Sequence, residues 1–148
     1  FVIGGPIEAG PGRLGYIDGC TDTLLLSPVQ KGAPCLNHLH FAPGIAQTQH
    51  THPSGRSGMV LRGSGVCVCK EEGRVMSRTR LSPGMAFVIP TNVKHAFETS
   101  PESSMDVVAF HPDSDFGPTS DNHPMINRTI VDGVSASLLS SIKTNSSA

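Results

Sequence analysis

Two histidines separated by one residue, His50 and His52, are the side chains whose type and spacing most directly suggest chemistry. They lie in strand-like surroundings, where side chains at positions i and i+2 leave the backbone on the same face. Both imidazole rings can therefore reach one point. Because neutral imidazole is the commonest nitrogen ligand of zinc, iron, copper and nickel in proteins, the pair predicts half of a metal site.

A third histidine follows an apolar strand and a proline-containing corner. Residues 83–95 give a turn at Gly84, an apolar run, a corner at Pro90 and then His95. A strand reversed by this corner carries His95 back toward the first pair. The sequence therefore predicts a third imidazole near the first pair.

The spacing of these residues resembles the two motifs of the cupin superfamily. The matching residues are Gly44, His50, His52 and Gly63 in the first motif, and Gly84, Pro90 and His95 in the second. Asn92 replaces an inner glycine of the second motif, and we expect a positive φ there because asparagine tolerates it best among non-glycine residues. The resemblance spans roughly Leu36 to His111. It implies an all-β fold, a cupin-type double-stranded β-helix or jelly-roll barrel, with His50, His52 and His95 as the metal ligands.

The chain departs from the first motif at its acidic ligand. Arg56 or Ser57 stands where the motif has glutamate, and no acidic residue occurs from Thr23 to Lys70. An ion held by three neutral ligands keeps its full charge, so it should favour an anionic, chelating partner. If Arg56 points inward, its planar guanidinium adds to this preference and suits a carboxylate. If Arg56 points outward, it is a solvated charge on a loop.

Among cupins without this glutamate, the similarity implies a three-histidine iron(II) dioxygenase that acts on a small anionic, chelating substrate. The residues leave two alternatives open. One is a metal-dependent isomerase or lyase that uses the ion as a Lewis acid, and the other is a non-catalytic cupin that binds a small molecule or a metal. Iron(II) is favoured by the resemblance, while zinc, manganese, nickel and copper stay open because imidazole suits several metals.

Other histidines compete for a role in the site. His38 and His40 form a second pair with the same spacing in a predicted strand, but no further histidine is spaced to join them. We therefore predict that this pair does not bind the metal and instead lines the pocket or faces solvent. His111, which is followed by proline, is a candidate acid or base facing the substrate. Its alternative role is structural, in a turn-rich loop.

Composition limits the fold and the classes of partner. With 148 residues, 16 glycines, 12 prolines and no tryptophan, the chain suits one domain of short strands and tight turns. We assign a single domain over residues 1–148, with a barrel core at about 23–111, a capping loop at 112–133 and a tail at 134–148. The net charge is −1 and the basic residues are scattered, so neither nucleic acid nor membrane is predicted as a partner.

The cysteines and the central hairpin give further expectations. Four cysteines include Cys67 and Cys69, which alternate with valines, and C-x-C alone is not a zinc-ribbon spacing. We expect free thiols and, with them, a cytoplasmic location. Residues 66–70 should pair with 75–81 as a hairpin whose second strand is half-exposed. The resemblance to small cupins implies a homodimer.

Overall fold

The computed structural model describes residues 10–115 and 123–142, and in these ranges nearly all regular structure is β. The strands are β1 (Leu14–Gly15), β2 (Thr21–Leu26), β3 (Cys35–Phe41), β4 (Arg56–Gly63), β5 (Gly65–Glu71), β6 (Arg74–Leu81), β7 (Ala86–Ile89), β8 (His95–Glu98), β9 (Met105–His111), β10 (Ile130–Val131) and β11 (Val134–Ser135). The helical turns described are two short 3-10 segments, Ile126–Arg128 and Ala136–Leu138.

The strands form two facing sheets and a small hairpin. One sheet has six strands in the order β1-β2-β3-β9-β4-β7, and the other has three in the order β6-β5-β8. All pairs of neighbouring strands are antiparallel, and β10 pairs with β11 alone. Large side chains such as Phe41, Val60, Leu81, Met105 and Val107 are buried in one core. The predicted all-β jelly-roll fold is confirmed.

Strand alternation decides which side chains face the inside of the barrel. On β3, Leu39 and Phe41 line the internal cavity, whereas His38 and His40 project from the opposite face of the strand. Strand β9 pairs with β3 so that Asp106 lies opposite His40. The outer face of the six-stranded sheet therefore carries its own buried polar group.

Two turn positions have the backbone conformation that the motif requires. Gly63 has φ of 67°, and a Cβ atom there would lie 1.8 Å from the carbonyl oxygen of Ser104. Asn92 has φ of 61°, as predicted, and its N–H donates to the carbonyl of His52 at 2.9 Å. The hydrogen bond of Asn92 thus connects the proline corner to the histidine pair.

The hairpin of β5 and β6 is confirmed, but the predicted half-exposure of its second strand is wrong. Every residue of β6 except Leu81 is exposed. The physical reason is position, because β6 is the outermost strand of the three-stranded sheet and only its last residue reaches the core. Alternating sequence cannot bury one face of a strand when no second layer covers it.

Parts of the predicted capping loop and tail, residues 116–122 and 143–148, lie outside the described residues. The single-domain assignment and its internal boundaries stay predictions. Among the described residues, the structure contains no helix with the length and apolarity needed to span a membrane.

Candidate metal centre

The three predicted histidines meet inside the barrel. One ligand nitrogen from each of His50, His52 and His95 lies within 4.8 Å of the others, and all three residues are buried. Their ring centroids are 4.5 to 5.2 Å apart. Within residues 10–115 and 123–142, this group of potential ligands contains no carboxylate and no thiol. The structure therefore brings together the residues that the motif spacing predicted.

Backbone pairing places the rings. His50 lies in the extended segment before β4, and its N–H and C=O exchange two hydrogen bonds of 2.9 Å with His95 at the start of β8. The neighbouring residue Thr51 pairs in the same manner with Ile130. These bridges hold the histidine segment between the three-stranded sheet and the C-terminal part of the chain. The site is thus assembled from sequence positions that are far apart.

Each ring is oriented by a backbone carbonyl that accepts from its Nδ1–H. His50 donates to Thr48 at 2.8 Å, and His95 donates to Val93 at 2.9 Å. His52 donates to the carbonyl of Arg128 at 3.2 Å. Because a neutral imidazole has one N–H and one lone pair, all three rings present Nε2 as the metal ligand.

Burial keeps these rings neutral. It lowers the pKa of His50 to about 3, with a further contribution from His95. Burial likewise lowers the pKa of His95 to about 4, and it lowers the pKa of His52 well below its ordinary value. Three unprotonated nitrogens with fixed tautomers fit a divalent transition metal, which needs deprotonated ligands.

Arg56 lies inside the cavity and not on the surface. It is 3% exposed and lines the space next to the three histidines. Its Nη1 donates to the hydroxyl of Ser54 at 2.5 Å and to Oδ1 of Asp113 at 3.2 Å. Its Nε and Nη2 are buried with no hydrogen-bond partner among the described residues. Burial lowers the pKa of the Arg56 guanidinium, and Asp113 opposes that shift.

One network of ion pairs and a hydrogen bond connects Arg56 to the histidine triad. Asp113 contacts Arg56 and also accepts from Arg128 at 2.8 Å. The main chain of Arg128 in turn accepts the Nδ1–H of His52. Residues that follow the barrel core therefore orient both the guanidinium and one ligand ring. Sequence reasoning assigned no role to Asp113 or Arg128, and no spacing relates them to the histidine motif.

His111, at the end of β9, also lines the cavity. Burial, with a smaller contribution from the charge of Arg56, lowers the pKa of His111 to about 3. Its Nδ1 lies 3.7 Å from the thiol of Cys35, whose pKa burial raises to about 12. His111 is therefore a neutral imidazole beside a protonated thiol, and its role toward a substrate stays a prediction.

A second polar group in the same cavity was not recognised from the sequence. Asp22 and His123 line the cavity with the three histidines, and Asp22 is fully buried. Oδ2 of Asp22 accepts from Nδ2 of Asn37 at 2.5 Å. Asp22 directly precedes the interval of the sequence that contains no acidic residue. The signal that could have identified it as a site residue is an aspartate within a strand that otherwise consists of threonine and leucine.

The pair His38 and His40 lies outside the histidine triad and outside the lining of its cavity, and it is also not exposed. Nε2 of His38 and Nδ1 of His40 lie 3.1 and 2.9 Å from the same oxygen of Asp106. Both rings are buried on the outer side of the six-stranded sheet. They neither line the pocket nor face solvent, the two alternatives predicted for them, because Asp106 on the neighbouring strand holds one nitrogen of each ring within the fold. Nδ1 of His38 is buried without a hydrogen-bond partner in the described chain.

All four cysteines are free thiols. Cys20 and Cys35 are buried, and the pair Cys67 and Cys69 is partly buried on β5. Burial raises the pKa of Cys20 to about 12 and that of Cys67 to about 12 as well. Both thiols are therefore protonated near neutral pH, and burial does not activate either as a nucleophile.

The cavity between these groups is small, about 40 Å³. Since a water needs roughly 10–15 Å³ of such space, it suits a few waters or a ligand with few non-hydrogen atoms. Apolar side chains from both sheets, among them Leu39, Phe87, Phe97 and Val107, form the remaining wall. A small ligand here would contact the imidazoles at one end and Arg56 or Asp22 elsewhere.

Comparisons with known proteins agree with this architecture. Similar solved structures include the polyketide cyclase RemF from Streptomyces resistomycificus, with 23% identity, a TM-score of 0.55, and coverage of 66% of this chain and 68% of that one. A cupin-like protein from Thermotoga maritima has 23% identity and a TM-score of 0.56, covering 69% and 77% of the two chains. Oxalate oxidase has 20% identity and a TM-score of 0.51, covering 72% and 57%.

At these identities the solved structures show a shared fold and no more, and no curated protein matches the chain. The family model for the cupin domain matches residues 37–111, the stretch that holds both histidine motifs. Together with the barrel and the buried histidine triad, this match assigns the family. The chain belongs to the cupin family.

Proposed function

We propose that this cupin is a metal-dependent enzyme whose three-histidine centre acts on a small anionic, chelating substrate, with an iron(II)-dependent dioxygenation as the reaction. The observation that carries the proposal is the combination, in one cavity, of three neutral imidazoles and a buried guanidinium. The ligand group in the described chain contains no carboxylate, so an ion at this triad would keep its positive charge. An anionic ligand would balance it and would also pair with Arg56.

Arg56 supports the choice of a carboxylate as the anion. The unpartnered nitrogens are Nε and Nη2, which form one edge of the guanidinium, while Nη1 is taken by Ser54 and Asp113. Two parallel N–H groups on one edge match the two oxygens of a carboxylate in a bidentate pair. Leaving such donors buried without partners is costly, so an occupying anion would stabilise this arrangement.

The roles of the individual residues follow from the contacts. His50, His52 and His95 would hold the ion, and when bound, it would supply Lewis acidity and, as iron(II), electrons to dioxygen. Arg56 would orient the substrate by its anionic group, and the apolar wall would exclude water from the reacting end. His111 is neutral and can donate or accept one hydrogen bond. Because all four cysteines are free thiols, the cytoplasm is the compartment that we propose.

Anaerobic reconstitution with iron(II) tests the proposal. The loaded protein should consume oxygen when small carboxylates that also carry a hydroxyl, keto or thiol group are supplied. Arg56→Gln should raise KM far more than Arg56→Lys, while both retain stoichiometric iron. Turnover without oxygen would contradict the dioxygenase and indicate Lewis-acid isomerase or lyase chemistry. Iron binding with no turnover of any of these acids would contradict the proposal that the protein is an enzyme and would indicate a metal-binding protein.

A further inference from the structure

The two carboxylate oxygens of Asp22 differ in their partners. Oδ2 accepts the 2.5 Å hydrogen bond from Asn37, and Nε2 of His123 lies 2.8 Å from the same oxygen. Oδ1 has no hydrogen-bond partner in the described part of the chain, although Asp22 is 0% exposed. Both neighbours thus use one oxygen and leave the other without a partner.

The main chain selects the tautomer of a neutral His123 ring. Its Nδ1 accepts from the N–H of Met125 at 3.0 Å, so a neutral ring carries its proton on Nε2. That N–H faces Oδ2 of Asp22 but is not aligned for a hydrogen bond, so the contact is mainly electrostatic. The ring of Tyr16 stacks on His123, with centroids 4.9 Å apart. His123 therefore supports Asp22 from one side and does not compete for Oδ1.

Asp22 and Arg56 face the same small space. Both line the cavity with the histidine triad. Both also act on His111, since the charge of Arg56 lowers its pKa and the charge of Asp22 raises it. The cavity wall thus offers a free pair of N–H donors and a free acceptor oxygen to one ligand.

We propose that the free edge of Arg56 and Oδ1 of Asp22 form one subsite for a short carboxylic acid that carries a hydroxyl or ammonium group next to its carboxylate. The carboxylate pairs with Nε and Nη2 of Arg56, and the neighbouring donor group hydrogen-bonds to Oδ1 of Asp22. This deepens the proposed function by naming the substrate class, and it rests on that proposal only in treating this cavity as the substrate site. The small cavity restricts the class to acids with few non-hydrogen atoms.

Calorimetric binding of three matched acids tests the subsite. Lactate carries a hydroxyl, alanine carries an ammonium, and propionate has neither. A buried hydrogen bond to a charged group corresponds to roughly tenfold or more in affinity. Lactate or alanine should therefore bind at least about tenfold more tightly than propionate. The deciding titrations use metal-free protein, because a hydroxyl or amine can also chelate zinc in the loaded protein.

Variants separate the two halves of the subsite. Asp22→Asn should abolish the preference over propionate, whereas Arg56→Gln should weaken binding of all three acids. Asp106→Asn is the matched control, because Asp106 is also a buried aspartate with histidine neighbours but faces away from the cavity. It should leave the preference unchanged. A preference that persists in Asp22→Asn, or an equal loss in Asp106→Asn, would overturn the proposal.

The test stays decisive if Asp22→Asn does not fold, since the wild-type comparison needs no variant. Equal affinity of metal-free wild-type protein for the three acids overturns the subsite. A preference in metal-free protein supports it even if iron loading and oxygen uptake fail. In that case the dioxygenase proposal falls and the subsite remains. The two proposals therefore fail by different measurements.

Discussion

Two histidine pairs of identical spacing, one on β3 and one in the segment bridged to β8, have opposite fates. His50 and His52 face the interior and meet a third imidazole, whereas His38 and His40 face the other side and share one aspartate. Both pairs are buried. The spacing of a histidine pair therefore predicts only that both rings lie on one face of a strand. Whether the two histidines can bind a metal or form a structural ion pair depends on the residue that they face.

The difference is visible at the level of single nitrogen atoms. In the inner pair, backbone carbonyls take the Nδ1–H of each ring, so Nε2 keeps its lone pair for an ion. In the outer pair, the nitrogens nearest Asp106 are held by its carboxylate. An aspartate in place of the third histidine thus converts a metal site into a buried polar cluster.

The largest expected effect is on metal binding. Alanine in place of His50, His52 or His95 should abolish stoichiometric metal, because each ring supplies one of only three protein ligands in the group. Loss of a supporting residue around a metal already costs roughly 10–100-fold in affinity, so loss of a ligand should exceed that. Metal content of the purified variants after dialysis measures the effect.

His38→Ala is the matched control for these variants, since it removes a buried histidine from a pair of the same spacing. It should keep one ion per chain. Stoichiometric metal that is retained in any of the three inner variants would contradict the assignment of metal binding to His50, His52 and His95. Loss of metal in His38→Ala would contradict the structural role of the outer pair.

A smaller effect should appear in the pH dependence of stability of the metal-free protein. Burial holds the pKa of His50 and His111 at about 3 and that of His95 at about 4, against an ordinary value of 6.5. Between about pH 6.5 and about pH 4 the unfolded chain therefore binds protons that the folded chain does not. The stabilisation is complete above that window and declines as the pH falls through it.

Urea unfolding of metal-free protein from about pH 7.5 down to about pH 5 measures this decline as a falling midpoint. Saturating zinc should raise the midpoint by a similar amount across this range, because burial keeps the ligand nitrogens of folded His50 and His95 unprotonated throughout it. A midpoint that is constant or rises toward pH 5 would contradict neutral, buried imidazoles.

The outer cluster should matter for stability alone. Asp106→Ala leaves the N–H groups of His38 and His40 buried without an acceptor, which should cost about 1–3 kcal/mol of unfolding free energy for each group. Metal affinity should stay at the wild-type level. Denaturant unfolding and a zinc titration of the same sample separate the two effects. A loss of zinc affinity without a loss of stability would mean that the two clusters are coupled.

The smallest change in chain stability is expected at the apolar patch on the outer face, defined here as Met59, Val88 and Phe110. The register of β7, β4 and β9 makes these residues neighbours, and Val88 is 69% and Phe110 46% exposed. If the protein is the predicted homodimer, this patch is the proposed interface. Phe110→Lys should give a monomer in sedimentation with a stability change within about 0.5 kcal/mol. The control Met76→Lys, on exposed β6, should not alter the mass.

The fold and the meeting of the three histidines were predictable because local rules determine them. Glycine and asparagine at positive φ mark the turns, as Gly63 and Asn92 show, and alternation places His50 and His52 on one face. The return of His95 follows from the corner before it. These features depend on a few neighbouring residues, so a single sequence contains the information.

The rest of the site depends on contacts between distant segments. Whether Arg56 pointed inward was open because Asp113, 57 positions away, holds its Nη1. The partner of Asp22 is His123, near the other end of the chain, and no periodicity connects them. The exposure of β6 was mispredicted for a similar reason, since burial is set by the layer above a strand and not by its own alternation.

X-ray absorption spectroscopy of the zinc-loaded protein tests the central claim most directly. We expect three imidazole nitrogens at about 2.0–2.1 Å, with the remaining positions filled by water or an added carboxylic acid. The same spectrum should persist in Asp22→Asn and Asp106→Asn. A sulfur shell at about 2.3 Å, or fewer than three imidazoles per ion, would contradict the three-histidine centre.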